Sequence, residues 1–224
     1  MIDREPSLPI SNVSPTLPLA PGKGAFTRQA ILQEAMDLAS VNGLEGLTIG
    51  SLAEAMGLSK SGLFAHFGSK EELQLATVQA ARVLFQERVL QPAFQSPRGL
   101  KRLCAVLASW MDYAEREIFR GGCFFAATSV EFDGRPGPVR DLLAVCMLEW
   151  RGTLARLVRE AKESGELSKG ADPEQLAFEF NALALGTNGA YQLHRDHHAF
   201  AMARRAIKER LKAFCAPNMR FSPL

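Results

Sequence analysis

Apolar residues along this chain recur at three- and four-residue intervals, and the pattern breaks at glycines and prolines; no convincing period-two run appears. Between Arg28 and Val41, Ile31, Ala35 and Leu38 form one stripe and Leu32, Met36 and Ala39 a second, which predicts a helix packed on two sides and closed by the turn Gly43-Leu44-Glu45-Gly46. Ile49, Leu52, Ala53 and Met56 then fall on one helical face, with Thr48 as an N-cap and Gly57 as a left-handed stop. Ser59 opens the next helix, and Leu58, Leu63 and Phe67 are expected in the core. Ser69 and Glu72 have capping-box spacing and open a helix expected to run to about Val89 and to stop near Pro92. Ser96-Pro97-Arg98-Gly99 then breaks the chain.

The remainder is again helical. One helix is expected from Leu100 to about Phe119 and a short one from Cys123 to Phe132. A long helix starts at Pro138, runs to Gly165 and carries Leu143, Met147, Trp150, Leu154, Leu157 and Ala161. Asp172-Pro173 opens a helix to about His194, and a last one, Ala199 to Phe214, is striped by Phe200, Ala203, Ile207, Leu211 and Phe214. The expectation is an all-α fold of about nine helices. It divides into a flexible proline-bearing arm over residues 1–25, a small domain over 26–75, a linking helix and hinge over 76–99, a larger helical domain over 100–216 and a tail over 217–224.

The stretch Thr48 to Leu73 carries the most chemistry. Two short helices joined at Gly57 are followed at once by a capped third, and the positions between Leu63 and its neighbours are small, polar or basic: Lys60, Ser61, Gly62, His66. That is the layout of a helix-turn-helix, whose second helix enters the DNA major groove. Bulk charge argues the other way. Net charge is only +2, and Phe26 to Leu75 holds three basic residues (Arg28, Lys60, Lys70) against six acidic ones. Distribution partly restores the case, because Leu58 to Lys70 contains no acid. No apolar run reaches the ~18 residues of a membrane span, and Asp3-Arg4 followed by prolines lacks the shape of a secretory signal; a cytoplasmic location and no membrane partner are expected. Four scattered cysteines, Cys104, Cys123, Cys146 and Cys215, read as reduced, mostly buried small hydrophobes.

The stretch resembles the DNA-binding domain of the TetR family, the tetracycline-repressor-like bacterial transcription regulators. The resemblance is carried by Thr48, Leu52-Ala53, Gly57-Leu58-Ser59, Ser61-Gly62-Leu63-Phe64, His66-Phe67 and Lys70-Glu71-Glu72-Leu73. It implies an N-terminal three-helix DNA-binding domain and a larger C-terminal domain for ligand binding and dimerisation. The implied function is a dimeric repressor released from a palindromic double-stranded DNA operator by a small effector, with no cofactor. Lys60 and Ser61 would meet base edges, Ser59 would cap the same helix, and Thr48, His66 and Lys70 would meet phosphate. Where the family usually has a tyrosine, Phe64 lacks the hydroxyl and is left with apolar contact to sugar or a thymine methyl. Gly62 costs its helix about 1 kcal/mol against alanine, which suggests close approach to the duplex. The arm, ending Gly22-Lys23-Gly24, either touches DNA or is a solvated leader.

In the larger domain the resemblance implies an effector pocket, for which Trp110, Tyr113, Phe125, Thr128, Met147, Trp150, Phe178 and Asn181 are candidates, each equally suited to plain core packing. Their character points to an aromatic or lipophilic effector. A dimer interface is expected from small residues of the helix after Pro173, among them Gly186 and Gly189, and from Ala203, Ile207 and Leu211; intrachain packing is the alternative. His194-Arg195-Asp196-His197-His198 gathers three imidazoles and a carboxylate, but at a junction between helices, so no metal site is expected. Competing readings are an all-α metal-dependent enzyme and an interaction module that has lost DNA binding. Against the enzyme stands the lack of a nucleophile–base pair or phosphate loop.

Overall fold

The computed structural model describes residues 23–215. Their helices are α1 (Lys23–Asn42), α2 (Ile49–Met56), α3 (Lys60–Phe67), α4 (Lys70–Phe85), α5 (Gln91–Phe94), α6 (Leu100–Glu115), α7 (Phe124–Phe132), α8 (Pro138–Glu163), α9 (Pro173–His194) and α10 (His198–Lys212). A π turn, Gln86–Leu90, fuses α4 to α5, so the described residues form nine helical rods. There is no strand among them, only an isolated bridge between Leu167 and Cys215. The all-α expectation holds. Helix α1 starts at Lys23, inside the stretch expected as arm; the rest of the arm and the tail lie outside the described residues.

Local chemistry explains the element ends. Thr48 Oγ1 accepts from the Ser51 amide at 3.0 Å and Ser51 Oγ accepts from the Thr48 amide at 3.0 Å, a reciprocal box closed by serine. At α4 only half of the expected box forms: Ser69 Oγ accepts from the Glu72 amide at 3.0 Å. The rod ends at Phe94, two residues past Pro92, so the expected stop near Pro92 holds, but the proline lies inside the rod. The π turn just before it has already interrupted the i→i−4 ladder, which lets the rod carry a proline that lacks the N–H and crowds the preceding turn. Helix α6 ends at Glu115, short of Phe119, because Glu117 turns left-handed (φ 48°). Its carboxylate is held there by Tyr191 and Arg195, each donating at 3.0 Å.

Leu58 is a correction. Its amide donates to the Ala53 carbonyl at 2.9 Å in a Schellman-like turn, and the turn leaves the side chain 41% exposed. In α8, Leu143, Leu154, Leu157 and Ala161 are buried as expected, while Met147 and Trp150 are only partly covered.

The small and large domains meet through named groups. The Glu131 carboxylate on α7 accepts from the Leu44 and Glu45 amides at 2.7 and 2.9 Å. On α1, Asp37 accepts from the Arg120 amide at 3.1 Å and Ser40 Oγ from the Gly121 amide at 3.1 Å. A Cβ on Gly121 would stand 1.8 Å from the Ser40 carbonyl oxygen, so only glycine fits this approach.

Candidate nucleic-acid interface

Leu52 and Ala53 of α2 and Leu63 and Phe67 of α3 are buried in the same core as Leu44, Leu47 and the α1 residues Ile31, Ala35 and Ala39. This fixes what α3 presents outward: Lys60, Ser61, Gly62 and Phe64, with Phe64 56% exposed. Thr48 and Ser59 are exposed beside them, while His66 and Lys70 are partly covered. All eight residues expected to meet DNA are thus exposed or partly exposed, on α3 or at the ends of the helices beside it. Ser59 Oγ accepts from the Gly62 amide at 3.1 Å, and a Cβ on Gly62 would come within 3.1 Å of that same oxygen. Glycine at 62 thus spares the cap from crowding, a local reason that the duplex-approach argument had not included.

The basic side chains are less free than their positions suggest. Lys60 lies back across α2, with Nζ 3.8 Å from where a side chain on Gly50 would begin. Lys70 Nζ holds Glu45 at 2.6 Å, and Arg135 stands 3.7 Å from the other oxygen of the same carboxylate. The Lys70 hydrogen bond keeps the Glu45 carboxyl below the usual carboxylate range. A phosphate approaching Lys70 must compete with Glu45. Sequence reasoning also passed over Arg28, which donates to the His66 carbonyl and stacks 4.4 Å above the Phe67 ring, capping the end of α3 from α1. Only its proximity to α3 reveals this, and proximity is not a local sequence signal.

Behind the small domain lies a cavity of about 390 Å³ between α4, α6, α7, α8 and α9. Five of the eight expected pocket residues line it: Trp110, Phe125, Met147, Trp150 and Asn181. Phe85, Gln86, Cys123 and Cys146 join them unforeseen. Tyr113 sits behind the wall, edge-on to Phe85 at 5.6 Å; its hydroxyl is buried without a partner, and burial pushes its pKa well up. Thr128 spends its hydroxyl on the Phe124 carbonyl at 2.9 Å. Phe178 is corrected outright: it is 54% exposed on the outer side of α9. Burial also raises the thiol pKa of Cys123 and Cys146 and pushes Cys104 up to about 12, so these sulfurs stay protonated and behave as small hydrophobes.

The expected dimer residues separate into two groups. Ala203, Ile207 and Leu211 are buried against their own chain, where α10 packs on α9 and α6, so Ile207 and Leu211 are corrected to core, while Ala203, also buried, borders the groove described next. Gly186 and Gly189 are exposed, with open space where a side chain would be. Gly186 belongs to an apolar groove with Phe178, Ala182, Ala190, Met202 and Ala206. Around the histidine run, Arg195 turns left-handed (φ 53°), His197 packs on Tyr191 at 5.1 Å, and Asp196 accepts from the His198 amide at 2.9 Å. Among the described residues no three His, Cys, Asp or Glu side chains converge as a metal set.

Comparison with known proteins bears on both halves. The family described as bacterial regulatory proteins, tetR family, matches residues 31–77, and the tetracyclin repressor-like C-terminal domain matches residues 99–207. Transcriptional regulator AcuR of Cereibacter sphaeroides is 26% identical over 195 residues, covering 82% of this chain and 86% of that one. The regulator TcmR of Streptomyces glaucescens is 29% identical over 175 residues, covering 76% and 75%. The crystal structure of a TetR transcriptional regulator from Chloroflexus aurantiacus superposes with a TM-score of 0.80 at 27% identity, over 86% of this chain and 98% of that one. With its helix-turn-helix and its C-terminal helical domain matched in turn, the chain belongs to the TetR family and is a DNA-binding transcriptional regulator.

Proposed function

We propose that the protein is a dimeric repressor that leaves a palindromic operator when a small lipophilic or aromatic effector fills the cavity. The observation that carries this reading is a shared helix. The first turn of α4 holds Lys70 beside the DNA-facing residues, and further along the same rod Arg82, Phe85, Gln86 and Leu90 wall the cavity. A second link runs through α7, where Phe125 and Ala126 line the cavity and Glu131 grips the turn ahead of α2. An effector that fits better when these helices shift favours that state, and the operator must then weaken the effector in return.

On DNA, Lys60 swings from Gly50 to a base edge, Ser61 supplies a short adaptable contact, and exposed Phe64 and Leu58 meet sugar or thymine methyl. Thr48, His66 and Lys70 hold phosphates, Lys70 by exchanging Glu45 for the backbone. The groove of Phe178, Ala182, Gly186, Met202 and Ala206 is the face for a second copy, and the two-fold pairing sets both α3 helices toward half-sites about 34 Å apart. The place of work is the cytoplasm, where the operator lies.

Selecting genomic fragments bound by the full-length protein tests this reading. Enrichment of one inverted repeat, bound by a sedimenting dimer, is the expected result. Equal recovery of all fragments would leave an interaction module without operator recognition, and Phe178→Asp leaving the dimer intact would remove the groove from the interface.

A further inference from the structure

We infer that the cavity takes a planar aromatic acid bearing one negative charge, an assignment that rests on reading the cavity as the effector site. Left to solvent, about 390 Å³ would hold about a dozen waters. The walls suit them poorly, because Phe85, Trp110, Phe125 and Trp150 offer rings. Phe85 stands edge-on to Phe125 at 6.0 Å and to Trp150 at 5.3 Å. A flat conjugated body extends that edge-to-face array and displaces the water.

Charge at the walls sets the polar end of the ligand. Arg82, Arg156 and a single carboxylate, Glu149, line the cavity. Arg82 holds Glu149 at 2.5 Å through one terminal nitrogen, while its Nε is buried without a partner, leaving a donor the protein does not use. Arg156 is less compensated still. Its carboxylate neighbour Glu160 is 3.8 Å away, and that buried group also faces Arg98 at 3.3 Å and Arg102 at 4.0 Å. Only Arg98 has a second acid, Glu163 at 3.4 Å. Three guanidinium groups against two carboxylates, Glu160 and Glu163, leave one positive charge in excess, with the half-exposed Arg156 carrying it to the edge of the apolar space. Aromatic walls alone would welcome a cation; this excess repels one. A carboxylate instead completes a charge-assisted, two-pronged hydrogen bond with a guanidinium.

The chain has two tryptophans, Trp110 and Trp150, and both wall the cavity, so their fluorescence reports occupancy. Full-length protein is titrated with 2-naphthoate, its neutral amide 2-naphthamide, and the cation 2-naphthylmethylammonium. The acid should bind about tenfold tighter than the amide, the size of one charged hydrogen bond, with the cation weakest. Arg156→Gln, at a half-exposed position, should remove most of the acid's advantage while leaving the amide unchanged; Arg82→Gln should remove what remains. Equal binding of acid and amide, preference for the cation, no quenching by any of the three, or an acid preference that survives both substitutions overturns the assignment. Operator binding followed in the same samples keeps the two claims apart. Acid-selective quenching with unchanged operator affinity upholds the ligand class and removes the effector role.

Discussion

Between Thr48 and Glu72 each helix cap finds its partner three residues away, Thr48 with Ser51, Ser59 with Gly62 and Ser69 with Glu72. Around the cavity the partners come from far along the chain: Arg82 reaches Glu149 across 67 positions and the Cys123 amide reaches Asn188 across 65. Some polar groups there, Arg82 Nε and the Tyr113 hydroxyl, find none. The three caps of the small domain are thus satisfied locally, whereas the cavity wall keeps one unused donor, Arg82 Nε, with the Tyr113 hydroxyl unpaired behind it. A region closed by local caps and a region closed by long-range contacts are different physical objects, and the contrast can be broken or sharpened by substitution.

The largest effect is expected where the two regions touch. Gly121→Ala forces a Cβ onto the Ser40 carbonyl and should cost about 3 kcal/mol, read as a lower urea midpoint. It should also make the two domains unfold at separate denaturant concentrations. Next comes one substitution made in both regions. Ala53→Leu, in the closed core of the small domain, should cost about 1–3 kcal/mol, whereas Ala184→Leu, which points at open cavity, should cost less than about 1 kcal/mol. Equal losses at the two sites would mean that the cavity is not real space.

The same contrast explains what the sequence made legible. Caps, the Gly57 stop and the Leu63–Phe67 spacing act within a few residues, so the reading helix and its exposed face could be read from one dimension. Met147 and Trp150 share the helical period of the α8 stripe with Leu154, so period alone does not separate them; residue type marks the two as pocket candidates, and they line a cavity that Leu154 does not. Phe178 and Ile207 show the same limit in opposite directions. Period alone says that a residue lies on an apolar face, and only the packing of α9 on α10 decides whether that face turns inward. Pro92 marks the end of the rod to within two residues, but the π turn that admits it leaves no mark in composition.

Smaller effects test the reading helix itself. Lys60→Ala should relax preference at one operator position by about 1–3 kcal/mol, measured by affinities for single-base variants. Lys70→Ala should instead weaken all sequences alike and lower the salt slope by about one. If both act equally on every sequence, Lys60 is not a base contact. The smallest effect concerns Glu45, whose carboxyl is held low by Lys70. Its contribution to stability is present above the ordinary carboxylate range and is lost as pH falls through the lowered value. Glu45→Gln should remove that acid-side loss, change stability near neutral pH by less than about 1 kcal/mol, and tighten operator binding by releasing Lys70.

The link between the two regions is tested most directly on the preformed operator complex. A compound that quenches Trp110 and Trp150 is titrated into the full-length protein bound to its labelled inverted repeat, while fluorescence and DNA anisotropy are read together. Filling of the cavity and release of the DNA should follow one curve, with operator and compound each weakening the other by the same factor. A cavity that fills while the complex stays intact would contradict the link carried by α4 and α7.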